Sequence, residues 1–236
     1  MRAIVTGGSR GIGLAVARAL LREGGQVFIT GRDQSRLDNA VATLAAEVSS
    51  KDRIAAAVVD VRDRPAVDRL VADVERRFGG LDALINNAGV GVFEEVGAMS
   101  DADWSRVIDT NLTGVFYCTR AAIPAMKRVG GGWIVNVASL AGRNYFPRAA
   151  AYCASKAGLI AFSEALMQEV RDDNIRVTVV MPGSVATGFS GHSVTTDDDW
   201  KLSAEDVALA IVDVMRHPAR SLASKVEIRP SKPKKG

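Results

Sequence analysis

The chain has 236 residues, 47% of them hydrophobic, and a net charge of +3 from 30 basic and 27 acidic residues. That length and apolar share suit one compact domain, and the interleaved charges leave no basic stripe for nucleic acid. Two cysteines, Cys118 and Cys153, exclude a disulfide framework and have no metal-ligand spacing; no apolar run reaches the ~20 residues of a membrane span, no signal peptide fits ahead of Arg2, and the expectation is a cytoplasmic protein with buried thiols, no metal and no membrane partner.

Residues 2–6 read as a short buried strand, and residues 14–21 as a helix with apolar faces. Between them runs G-G-S-R-G-I-G, Gly7 to Gly13. Glycines there allow a left-handed turn and close backbone approach to a ligand, and the helix start offers free N–H groups to a diphosphate. A glycine turn at this place in an alternating chain points to a dinucleotide.

A second strand, residues 25–30, ends in Gly31-Arg32. A carboxylate at this strand end binds a ribose 2′-hydroxyl, whereas an arginine accommodates a 2′-phosphate. Arg32 and Arg10 therefore favour NADP(H) over NAD(H). Asp33 dissents, unless it caps the helix expected over 34–48.

Residues 53–60 are a third strand with Asp60 and Val61 at its end, where ligands collect in open sheets. Asp60 either accepts from an adenine amino group or caps the helix 63–78. Residues 81–86 form strand four, closing in Asn87-Ala88-Gly89, where glycine lets backbone pass under a cofactor. Asn86 or Asn87 is alternatively a tie between strands.

Ser100 opens a helix with Asp103 three residues on, a capping-box variant. The helical stretch 104–128 contains Asn111, a residue that disturbs the backbone ladder or simply faces solvent. Strand five, residues 133–139, places Ser139 at the C-terminal edge of the sheet.

The helix over 150–171 carries Tyr152 and Lys156, four apart and so on one face. A free phenol has a pKa of about 10. An ammonium about 4 Å away at an effective dielectric of ~20 favours phenolate by roughly 4 kcal/mol. That is about three pKa units, enough to bring Tyr152 near working pH. Alone, the pair is also an ordinary surface Tyr/Lys spacing.

Strand six, residues 175–181, leads into Pro182-Gly183. Residues 184–202 are polar and aperiodic, read as a flap over the substrate or as an inert loop. Arg143 and Arg148 lie near the site as a dock for an acidic partner or as solvated surface. A capped helix over 203–217 stops at Pro218, and residues 225–229 form a last strand. Residues 1–230 make one domain, and 231–236 a flexible basic tail. The alternation of strands and helices implies a parallel sheet covered on both faces.

Together the motifs resemble the short-chain dehydrogenase/reductase family from Arg2 to Arg229. They are T-G-x-x-x-G-x-G at Thr6–Gly13, N-N-A-G at Asn86–Gly89, the helical Asn111, Ser139, Y-x-x-x-K at Tyr152–Lys156 and P-G-x-V-x-T at Pro182–Thr187. The resemblance implies a single-domain, doubly wound (Rossmann) α/β fold with a parallel sheet of about seven strands. It implies Tyr152 as general acid in carbonyl reduction and base in alcohol oxidation, with Ser139 holding the substrate oxygen. It implies that Lys156 lowers the Tyr152 pKa and binds the nicotinamide ribose, and that Asn111 holds a water linking Lys156 to solvent. Cofactor contacts are expected from Gly7, Ser9, Arg10, Gly11, Ile12, Gly13, Arg32, Asp60, Val61, Asn87, Ala88, Gly89, Tyr152, Lys156, Pro182 and Gly183, and at the carboxamide from Val185 and Thr187.

The family's assembly implies a homodimer or homotetramer packed through the helices beginning near Trp104 and Ala150. Within it the chain is similar to the 3-oxoacyl-(acyl carrier protein) reductase-like branch, from whose glycine-rich ending the segment V-E-I-R-P-S-K-P-K-K-G departs. The expected activity is NADPH-dependent reduction of a carbonyl substrate to a secondary alcohol. The alternatives are an NAD-linked alcohol or sugar dehydrogenase and a non-catalytic NADP(H)-binding regulator.

Overall fold

A computed structural model describes residues 1–48, 51–189, 195 and 198–232. Seven strands form one parallel sheet: β1 (Arg2–Val5), β2 (Gln26–Gly31), β3 (Ile54–Val58), β4 (Ala83–Asn86), β5 (Gly132–Val137), β6 (Ile175–Pro182) and β7 (Lys225–Ile228). Their order is β3-β2-β1-β4-β5-β6-β7. The chain winds outward one way from β1 and then crosses back to β4, so the order reverses between β1 and β4. Ligands of open α/β sheets sit beyond the strand ends at that point.

The helices are α1 (Gly11–Arg22), α2 (Gln34–Ala46), α3 (Arg64–Phe78), α4 (Asp101–Ile108), α5 (Gly114–Arg128), α6 (Ala150–Val170) and α7 (Ala204–Met215). Strand side chains alternate between two cores, as the pleat requires. Ala3, Val5, Ala83, Ile85, Trp133 and Val135 face α1, α2 and α7. Ile4, Leu84 and Ile134 face α3, α5 and α6. Burial on both faces explains why the central strands read as continuous apolar runs.

Helix starts are locally specified. Asp33, Asp63, Ser100 and Ser203 accept hydrogen bonds from first-turn N–H groups of α2, α3, α4 and α7. At α1 the preceding residue, Arg10, supplies no side-chain cap, which leaves its first-turn donors to the cleft.

Several boundaries differ from the sequence expectations. The third strand stops at Val58, so Asp60 and Val61 lie in the following loop. Strand five stops at Val137, two residues before Ser139. The long helix expected over 104–128 is α4 and α5 joined by a π-helical turn, Asp109–Thr113, with Asn111 at its middle. Residues 190–194, 196 and 197 of the flap and 233–236 of the tail lie outside the described residues. Cys118 and Cys153 are free and buried. Among the described residues no helix is long and apolar enough to cross a membrane.

Candidate active site

The glycine turn is built from below by two polar side chains. Thr6 Oγ1 accepts from the backbone N–H groups of Asn87 and Ala88, both at 3.0 Å. Asn87 Nδ2 donates to the carbonyls of Thr6 and Gly7 at 3.0 and 3.1 Å. Gly7 and Gly11 have φ of 64° and 54°, the left-handed region that favours glycine. Gly13 is required for closeness instead, since a Cβ there would sit 2.4 Å from the Gly7 carbonyl oxygen. It lets α1 close on the turn and does not line the cavity.

Above the turn lies a cavity of about 520 Å³. Gly7, Ser9, Arg10, Gly11, Ile12 and Arg32 line it together with Asp60, Val61, Asn87, Ala88, Gly89 and Thr187. Of the other expected cofactor contacts, Tyr152, Lys156, Pro182, Gly183 and Val185 lie off this wall. Pro182 ends β6, Gly183 donates to the Ile228 carbonyl, and Val185 bridges to Leu202.

Two carboxylates at the cavity are already engaged. Asp33 accepts from the Arg36 N–H and caps α2. Asp60 does not cap α3, a role that Asp63 fills. Its carboxylate instead holds the Arg62 guanidinium, with Nη2 to Oδ2 at 2.6 Å and Nε to Oδ1 at 3.0 Å. That hydrogen bond lowers the Asp60 pKa. Arg36 is 3.5 Å from Asp33, while Arg10 and Arg32 carry no ion pair among the described residues. The cationic groups on this part of the cavity wall therefore outnumber the anionic ones. The buried hydroxyls of Thr30 and Thr110, also on the cavity wall, lack a hydrogen-bond partner. Open donors, surplus guanidinium charge and a glycine cradle fit a phosphorylated dinucleotide.

The catalytic candidates converge from three segments. Tyr152 and Lys156 stand on α6, Ser139 follows β5, and Asn111 sits in the π-helical turn. Ser139 Oγ accepts from the Ala141 N–H at 3.1 Å, fixing a short turn over Leu140–Gly142. That turn lies so close to α6 that a Cβ on Gly142 would be 2.8 Å from the Lys156 carbonyl carbon.

The electrostatics of Tyr152 run opposite to the sequence expectation. Lys156 Nζ donates to the Val137 carbonyl at 2.8 Å and lies 5.8 Å from the centre of the Tyr152 ring. Burial raises the Tyr152 pKa above its usual 10, and a hydrogen bond with Ser139 only partly offsets it. Burial pushes the Lys156 ammonium down to about 8. Helical spacing brings the two groups to one face, but desolvation sets the direction of both shifts.

Asn111 is a tether. Its Oδ1 accepts from Val90 N–H at 2.8 Å, and its Nδ2 donates to the Val90 carbonyl at 2.8 Å and to Ser155 Oγ at 3.0 Å. Ser155 in turn donates to the Tyr152 carbonyl at 2.8 Å. Both amide donors are thus used, and a water of the implied kind must be met by an acceptor oxygen. Asn86 belongs to the scaffold: it donates to Asn136 Oδ1 at 2.8 Å and to Thr119 Oγ1 at 3.2 Å, joining β4 to β5 and α5.

The pocket walls expected from the sequence are residues 91–96, residues 140–148 and the flap, but the rings within them are not singled out there. Phe93 meets Tyr152 edge-on at 5.7 Å, Phe189 meets it at 5.7 Å, and Phe146 stacks on Phe93 at 6.2 Å. These rings stand in aperiodic loops, so no hydrophobic period marks them. Ser155 escapes sequence reasoning as well; its only signal is a hydroxyl one residue before the lysine.

The profile of the family described as short chain dehydrogenase matches residues 1–198. The chain belongs to this family of oxidoreductases. An uncharacterized oxidoreductase of Staphylococcus saprophyticus is 33% identical over 234 residues, covering 97% of this chain and 96% of its own. Among solved structures, the closed form of a serine dehydrogenase complexed with NADP+ superposes with a TM-score of 0.88 at 33% identity, over 98% of this chain and 95% of that one. An actinorhodin polyketide ketoreductase with NADPH superposes with a TM-score of 0.87 at 32% identity, over 97% and 95%.

Proposed function

We propose that the protein is an NADP(H)-dependent carbonyl reductase that converts a ketone to a secondary alcohol. The observation that carries this reading is the meeting of Tyr152, Ser139 and buried Lys156 at the sheet edge beside the dinucleotide cavity. The NADP-bound neighbours and the surplus guanidinium charge at Arg10 and Arg32 support the phosphorylated cofactor over NAD(H). The glycine turn from Gly7 and the α1 N-terminus would hold the diphosphate, and Thr187 and Gly89 flank the path toward the nicotinamide. When bound, that cofactor supplies the hydride.

Burial keeps Tyr152 protonated at neutral pH, so it stands as an acid. It donates its phenolic proton to the carbonyl oxygen, and the Ser139 hydroxyl donates a second hydrogen bond to that oxygen. Lys156, with its pKa near 8, is mostly ammonium at neutral pH. Its charge stabilises the phenolate left behind. Alcohol oxidation needs the phenolate from the start, so that direction gains with rising pH.

The assembly reading rests on exposed aromatic side chains of α4 and α5, Trp104 and Phe116. Light scattering that finds a monomer would remove it. The reductase reading is tested by following NADPH consumption over a panel of ketones. Turnover with NADPH well above that with NADH is the expected result, and equal use of both cofactors contradicts the role given to the arginines.

A further inference from the structure

The mouth of the site is aromatic and electrically self-contained. Phe93 and Phe189 both contact Tyr152, each at 5.7 Å between ring centres, and Phe146 extends the wall by stacking on Phe93. Val96, Tyr145 and Phe146 stand 73%, 71% and 48% exposed on the wall segments 91–96 and 140–148. Apolar side chains left in water on the segments that carry Phe93 and Phe146 are surface that a ligand can cover.

The cations of those segments are already paired. Arg148 reaches Glu94 at 3.4 Å, and Arg143 reaches Glu227 at 2.7 Å, a carboxylate that also accepts from Arg229 at 3.0 Å. Glu95 has the same sign as Glu94, so the mouth as a whole offers no concentrated positive field. A substrate carboxylate or an acidic carrier would have to break one of these pairs to find a cation. A flat uncharged ring finds faces and edges without displacing anything.

We infer that the substrate is an uncharged ketone bearing an aromatic or similarly flat ring next to the carbonyl, selected by Phe93, Phe146 and Phe189. This rests on the reductase reading above. It also turns Arg143 and Arg148 away from the docking role considered for them and makes them part of the rim.

The test compares kcat/KM with NADPH for an aryl alkyl ketone, an open-chain aliphatic ketone of equal carbon number and a 3-oxo carboxylate. The aryl ketone is expected to lead the aliphatic one by about tenfold, and the carboxylate to be poorest. Phe93→Leu and Phe146→Leu keep apolar bulk; each is expected to cut the aryl-to-aliphatic ratio by about twofold to tenfold, chiefly through KM. Phe146 is half exposed, so its variant tests the idea even where Phe93→Leu folds poorly. A ratio near one in the native chain, a preference for the carboxylate, or ratios unchanged in both variants overturns the aromatic assignment and leaves the reductase reading standing. A chain that binds NADPH but turns over no ketone overturns the reductase reading and this inference with it.

Discussion

The two ends of the cleft are made differently. The proposed adenosine end is backbone and fixed charge: a glycine turn, an uncapped helix start and arginines, two of them held against Asp33 and Asp60. The proposed carbonyl end is side chains from separated segments, with rings packed round a partly buried phenol. At the first end exposure leaves guanidinium charge available for a phosphate. At the second, burial sets protonation, raising Tyr152 and lowering Lys156. Substitutions at the carbonyl end should therefore alter chemistry while sparing binding, and those at the adenosine end should do the reverse.

The sharpest test of that division is Tyr152→Phe. Removing one general acid costs about 10²- to 10⁴-fold in rate, and NADPH affinity should stay within a few-fold by fluorescence titration. Substantial residual turnover would mean that another group protonates the product. At the other end, Arg32→Asp removes a charge-assisted contact and adds repulsion. The NADPH-over-NADH preference should fall by about tenfold to a hundredfold, with kcat for the better cofactor little changed; an unchanged preference assigns the 2′-phosphate elsewhere. Gly13→Ala probes the support beneath the glycine turn. Its methyl would meet the Gly7 carbonyl and Asn87 Nδ2, at 2.4 and 2.5 Å. A loss of about 1–3 kcal/mol in denaturant unfolding is expected, and full retention of stability would show that the turn can yield.

The same contrast decides what is legible in the sequence. The sheet, its helices and the cofactor turn are local: apolar runs of strand length, glycines at fixed offsets and caps such as Asp33 and Ser203 announce themselves within a few residues. The candidate catalytic residues are legible as types and spacings. Their energetics are not, because the direction of the Lys156 amine depends on the Val137 carbonyl, nineteen positions away. Asp60 escapes for a similar reason. Its partner, Arg62, is close in sequence, but a loop in place of the expected strand end brings them together. Phe93, Phe146 and Phe189 come from different loops, and only the fold makes them neighbours.

The smallest expected effect isolates the burial of Lys156. Its amine titrates near 8 when folded, against an ordinary 10.5. Between those values the unfolded chain holds a proton that the folded chain has released, so stability rises with pH across that window. From about pH 8 to about pH 9 the gain is about 1 kcal/mol. Cys118 opposes it, since burial lifts its thiol from 9.0 to about 12 and the folded state keeps a proton that the unfolded state loses. Tyr152 opposes only at higher pH, above its usual 10. Comparing the native chain with Lys156→Met, both without cofactor, cancels the Cys118 contribution. The variant also strips the Val137 carbonyl of its donor, so the slope against pH and not the absolute stability carries the comparison. Relative to the variant, the native chain should gain about 1 kcal/mol over that unit of pH. Parallel slopes would show that the Lys156 amine is hydrated in solution, and the burial that distinguishes the carbonyl end from the adenosine end would lose its main support.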